Sequence, residues 1–176
     1  MAKEETKKIL TEAFFCLYRE KPVNKITIKD VTEKAGFHRS TFYEYYEDIY
    51  DLLEQEEDEI YKLQNKLILG PVRNGTLTIG DREFLEPLKQ LFQQKGEKIA
   101  ILIGVNGDAA FRKKLQEKIK TAIIPLLEKS PTENTEYLAE FLSAGLLSTC
   151  EMAYRRKEDI ETVMATVYPF ISKLFR

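Results

Sequence analysis

Apolar residues recur at intervals of three and four almost from one end of this chain to the other. Nowhere do they alternate long enough to build a strand. Ile9, Leu10, Ala13, Phe14, Leu17 and Tyr18 mark the first stripe, over residues 3–20, with lysines and glutamates on the opposite face. Pro22 and Asn24 end it. From Asp48 a longer stripe runs through Ile49, Leu52, Leu53, Ile60, Leu67 and Ile68, and predicts one helix stopping before Gly70-Pro71. "GPVRNGTLTIGD" then reads as the only loop-like interval of any size. Beyond it the spacing predicts helices over 81–94 (interrupted or delayed by Pro87), 97–105, and 108–129 with a kink at Pro125. After "SPTEN" come two more, 133–156 and 159–175, the last kinked at Pro169. The fold class is therefore all-α, with about nine helices.

Residues 27–46 carry the sharpest local signals. Thr27 reads as an N-cap and Asp30 closes a capping box with it; Gly36 stops the short helix that follows. Another short helix starts between Arg39 and Thr41 and runs through "TFYEYY", with Thr41 and Glu44 suited to a second capping box. Val31, Ala35, Phe37, Phe42 and Tyr46 supply an apolar clamp between the two. This is the form of a helix-turn-helix, whose second helix suits a DNA major groove. Two ordinary bundle helices meeting at a tight corner give the same spacing. The aromatics of "AGFHRSTFYEYYEDIYDLL" pose the same choice: Phe42, Tyr43, Tyr45, Tyr46 and Tyr50 form a small core, or some of them face outward.

Charge totals do not favour either reading. The formal net charge is −2, and the first fifty residues hold nine cations and nine anions. A broad positive field for indiscriminate nucleic-acid coating is excluded. No apolar run reaches the length of a membrane span and the N-terminus is not signal-like, so a cytoplasmic protein with no membrane partner is expected. Cys16 and Cys150 read as free thiols, and His38 is the only histidine. No cofactor and no metal site is expected. Neither a nucleophile–base set nor a glycine-rich phosphate loop is present, which argues against an enzyme.

"ITIKDVTEKAGFHRSTFYEYYEDIYDLL" resembles the DNA-binding signature of the TetR family of bacterial transcription regulators, the likeness covering roughly residues 7–53. "NGDAAF" is similar to a stretch in one branch of that family. The resemblance implies a helix-turn-helix DNA-binding domain over 1–48 and a helical effector-binding and dimerisation domain over 49–176. It implies double-stranded operator DNA, a second copy of the chain and a small-molecule effector as partners. Phe42 and Tyr46 become core. Arg39, Ser40 and Glu44 occupy base-reading positions, Arg39 suiting guanine. Tyr43 and Tyr45 touch the DNA backbone, and Thr27 caps its helix while approaching a phosphate. Lys29, His38 and Thr41 complete the expected DNA-contacting set.

In the body, Phe84, Leu88, Phe92, Ile103, Phe111 and Leu115 would line an effector pocket. Leu142, Gly145 and Leu146, with Val163, Val167 and Phe170, would form the dimer interface. The function implied is a dimeric regulator of a palindromic operator, usually a repressor in this family. Two departures stand out: Ile49, flanked by Glu47 and Asp48, stands where the family often has a lysine, which weakens the electrostatic grip, and His38 stands where a serine is common, though it can still hydrogen-bond a phosphate. The missing lysine, the acidic "EYYED" surroundings and the neutral head motivate an alternative, a TetR-like protein-interaction module or co-activator with weak or lost DNA binding.

Overall fold

The computed structural model describes residues 3–77, 83, 85–127 and 134–175. It is all-α. Helix α1 (Lys3–Glu20) leads through one 3₁₀ turn to α2 (Ile28–Ala35) and α3 (Arg39–Tyr43). Then follow α4 (Ile49–Gln64), a π turn (Asn65–Leu69) and α5 (Gly70–Arg73), one continuous rod. The body is completed by α6 (Leu85–Ile103), α7 (Ala109–Leu127), α8 (Thr135–Arg156) and α9 (Ile160–Ile171), the last ending in a 3₁₀ turn.

Two expectations change. The rod does not stop before Gly70-Pro71. At the π turn the Gly70 N–H donates to Asn65 O, five residues back, and this widened register accommodates Pro71, which has no N–H to place. The first third of the "GPVRNGTLTIGD" interval, Gly70–Arg73, is thus helical, while residues 78–82 lie outside the described residues. The helices expected over 81–94 and 97–105 are one, α6, and its described part starts at Leu85. Pro87 falls in its first turn, where a missing N–H costs nothing. Gly96 costs about 1 kcal/mol of helix propensity, which the burial of Leu91, Ile99 and Leu102 on the same helix exceeds. With the rod counted once, there are eight helices among the described residues rather than about nine.

A small head of α1, α2 and α3 packs round Leu10, Phe14, Tyr18, Val31 and Phe42, all fully buried but for at most a trace of surface. In the body, α7 lies along α8, and α6 touches α1, α4, α7, α8 and α9. The rod α4 runs from the head into that bundle.

Candidate functional site

The head is built by its caps. Thr27 Oγ1 accepts the Asp30 N–H at 3.1 Å, and Asp30 Oδ2 accepts the Thr27 N–H at 3.0 Å. Lys21 Nζ, 2.9 Å from the same oxygen, holds the Asp30 carboxyl below its usual range and ties the end of α1 to the start of α2. Gly36 closes α2 at φ +73°, a conformation a side chain adopts only under strain. The Phe37 N–H then donates to Thr32 O at 2.9 Å, which turns the chain sharply into α3.

At α3 the expected second capping box is absent. His38 is the N-cap, Thr41 sits inside the helix, and Glu44 lies past its end, with its N–H directed to Thr41 O. The opening turn is bare. His38, Arg39 and Ser40 are exposed, and their side chains make no hydrogen bond or ion pair within the described residues. Glu44 and Thr27 are exposed, Thr41 is half-buried, and exposed Lys29 lies 3.6 Å from Glu33. The aromatic question resolves by ring. Phe42 (0% exposed) and Tyr46 (2%) stack at 5.4 Å and are core; Tyr43, 59% exposed, stands edge-on to Phe42 and faces out. Tyr45 is half-buried. The bare turn and the exposed phenol share one face, with donors and acceptors suited to base edges and phosphates.

The start of α4 differs from that face. Asp48 Oδ1 accepts the N–H groups of Tyr50 and Asp51, at 2.8 and 2.9 Å, and Asp51 Oδ2 accepts the Glu47 N–H. Ile49, at the position where the family often has lysine, is buried. The helix end that would greet a phosphate is occupied by the protein's own carboxylates.

Polar bonds join head to body. Thr11 on α1 lies 3.1 Å from the Tyr46 hydroxyl, itself pushed up to about 12 by burial, and donates to Glu56 Oε1 on α4. Glu56, 3% exposed, is paired through its other oxygen with Lys98 on α6. The "NGDAAF" stretch makes a second joint. Asn106 Nδ2 donates to Arg19 O at the end of α1, and Asp108 Oδ1 accepts the Ala110 N–H at the start of α7. A Cβ on Gly107 would lie 2.0 Å from Leu102 O, so only glycine fits between them.

In the body a cavity of about 80 Å³ lies between the rod, α6, α7 and α8. Of the residues expected to line it, Leu88, Phe92 and Leu115 do, as do Leu91 and Ile119. Ile103 and Phe111 do not: Ile103 ends α6, and Phe111 packs on the Tyr61 ring at 5.2 Å. Phe84 lies outside the described residues. Missed were the rod's own contribution (Ile60, Gln64, Ile68) and that of α8 (Leu147, Cys150). Gln64 was findable, since it falls between Ile60 and Ile68 at helical spacing.

The residues expected at a dimer interface divide. Gly145 and Phe170 are exposed and Val163 and Val167 half-buried, but Leu142 is buried in the chain's own core and Leu146 lines the cavity. The outward face of α8 instead presents Tyr137 and Phe141, 79% and 72% exposed.

No protein-family model and no curated protein matches the chain. Solved structures do. A TetR transcriptional regulator from Streptococcus agalactiae aligns with 25% identity and a TM-score of 0.62, over 99% of this chain and 96% of its own. The dihydroxyacetone kinase operon activator DhaS aligns at 17% identity and a TM-score of 0.57, over 97% and 98%, and speaks for the fold alone. With the capped α2–Gly36–α3 corner and its exposed face inside an alignment that spans both chains, the protein has the fold of the TetR transcription regulators and is similar to them.

Proposed function

We propose that the chain is a cytoplasmic homodimeric repressor that binds a palindromic DNA operator through α3 and is released by a small-molecule effector held in the body. Residues 1–48 are the DNA-binding unit and 49–176 the effector and dimerisation unit. The observation that carries the reading is the bare first turn of α3: three consecutive polar side chains, His38, Arg39 and Ser40, exposed and without internal partners. Nothing among the described residues uses them, and a helix N-terminal turn is the part that enters a major groove. Thr27, Lys29, Thr41, Tyr43, Glu44 and Tyr45 surround them as backbone and base contacts. Both solved neighbours are named as regulators, and on this reading the chain is not an enzyme.

The test is retention of genomic fragments, including the chain's own promoter region, by the purified protein at two salt concentrations. One palindromic fragment should be retained selectively, with a shallow salt slope because few phosphates are neutralised. Arg39→Ala should weaken that retention by about 1–3 kcal/mol and relax specificity at one base position. A second reading, a protein-interaction module or co-activator, is favoured by the Asp48-capped start of α4. It predicts no selective fragment at either salt and no effect of Arg39→Ala.

A further inference from the structure

Among the described residues the walls of the body cavity are hydrocarbon with two exceptions, Gln64 and Cys150. Cys150 is an ordinary buried thiol, pushed up to about 12 by its apolar surroundings, and stays neutral. Gln64 is different. It is 3% exposed, it reaches the cavity from the last turn of α4, and its Oε1 has no hydrogen-bond partner among the described residues. Buried acceptors are nearly always satisfied, because an unpaired one forfeits its hydration without return. A leucine would suit this face of the rod better, since Ile60, Ile68 and Leu69 line the cavity around it.

We infer that Gln64 is the polar anchor of a ligand site, and that the ligand is a small, neutral, mostly apolar molecule bearing one hydroxyl. This rests on the proposal that the body binds an effector, and it names that effector's chemical class. The chemistry narrows it in three steps. Among the described residues no cation or anion lines the cavity, so a charged ligand would lose its hydration uncompensated. A side-chain amide both accepts and donates, and a hydroxyl answers either need while adding little polar bulk. At about 80 Å³ the space is below the roughly 150 Å³ of an engineered cavity that takes benzene, so the ligand is smaller than an aromatic ring and is a short aliphatic chain.

1-Propanol is the probe, with 1-chloropropane as its hydroxyl-free counterpart, both titrated calorimetrically into the full-length protein. 1-Propanol should bind at least tenfold tighter than 1-chloropropane. Gln64→Leu should erase that preference while leaving 1-chloropropane binding intact, and its melting temperature should not fall, since it removes an orphan polar group. Ala122→Leu, which fills the cavity from α7, should abolish both. Equal affinities in the wild type, a 1-propanol preference that survives Gln64→Leu, or 1-propanol binding that survives Ala122→Leu would each overturn the assignment. So would the absence of binding by either probe at millimolar concentration. Gln64-dependent 1-propanol binding that leaves operator retention unmoved would support the site and overturn only its role as effector switch.

Discussion

A helix N-terminus offers unpaired N–H groups and a partial positive charge to a passing phosphate, and at α4 Asp48 has already taken up two of those N–H groups. Replacing it with serine keeps an oxygen to cap the helix but removes the negative charge. DNA retention by Asp48→Ser should tighten at low salt by about 0.3–1 kcal/mol, with an unchanged melting temperature. Unchanged retention would mean that the start of α4 lies away from the DNA backbone. A second residue, Glu57, sets a pH dependence. Burial, and then the Asp108 carboxylate, raise its carboxyl to about 7, with Asp58 and Glu54 adding to the rise and Lys114 opposing it. The folded chain therefore holds a proton that the unfolded chain releases from about pH 4.5 upward, and stability falls as pH rises from there through 7. Glu57→Gln should flatten that slope. Its gain at pH 8 should be about 1 kcal/mol, well under the full shift because the half-exposed carboxylate is screened by solvent. At pH 5 variant and parent should nearly coincide in urea unfolding. A Gln variant that is no more stable at pH 8 would remove Glu57 as the source.

Between elements the controlling contact is Glu56, where the rod meets both α1 and α6. It is buried, whereas Lys98 keeps part of its surface in water, so the two partners should not cost the same to remove. Glu56→Leu leaves the Thr11 hydroxyl with Tyr46 alone and the part-exposed Lys98 ammonium without its carboxylate, and should cost about 1–3 kcal/mol. Lys98→Met leaves the buried carboxylate with Thr11 alone and should cost at least as much. The double variant should lose less than the sum of the two, because it removes both charges. Additive losses in chemical denaturation would show that the pair is not coupled. This joint also marks how far the sequence could be read. Helices α1 and α2, the Thr27 box, the Gly36 stop and the Phe42–Tyr46 core were legible, since each depends on residues close in sequence. The π turn was not, because a proline normally ends a helix and only the i-to-i+5 register of Asn65 and Gly70 lets this one pass. Leu142 and Leu146 were misplaced because periodicity shows that a stripe is apolar but not whether it faces its own chain or another. Which residues share the cavity depends on the packing of the rod against α8, which no local pattern encodes.

For the molecule as a whole, the two-copy reading turns on side chains that a single copy leaves in water. Tyr137 and Phe141 on α8 and Phe170 on α9 are each more than 70% exposed. Scattered exposed aromatics are ordinary, but three this exposed on the last two helices leave apolar area in water that a lone chain gains nothing by keeping. Because Phe141 makes little contact within its own chain, Phe141→Glu should leave the folding free energy within about 0.5 kcal/mol of the parent. Between two copies it would bury a carboxylate against the partner's apolar patch twice over, since a two-fold interface presents the same patch from both sides. Sedimentation should then show a monomer and, for the parent, the dimer that the two-copy reading requires. Retention of a palindromic fragment should fall at least tenfold, as one α3 can engage only one half-site. Folding and dimerisation separate cleanly in this variant, so its outcomes are unambiguous. A Phe141→Glu protein that stays dimeric and retains DNA as before would put the two-fold contact elsewhere on the molecule. One that turns monomeric with DNA retention intact would sink the palindrome and leave a chain that reads a single half-site.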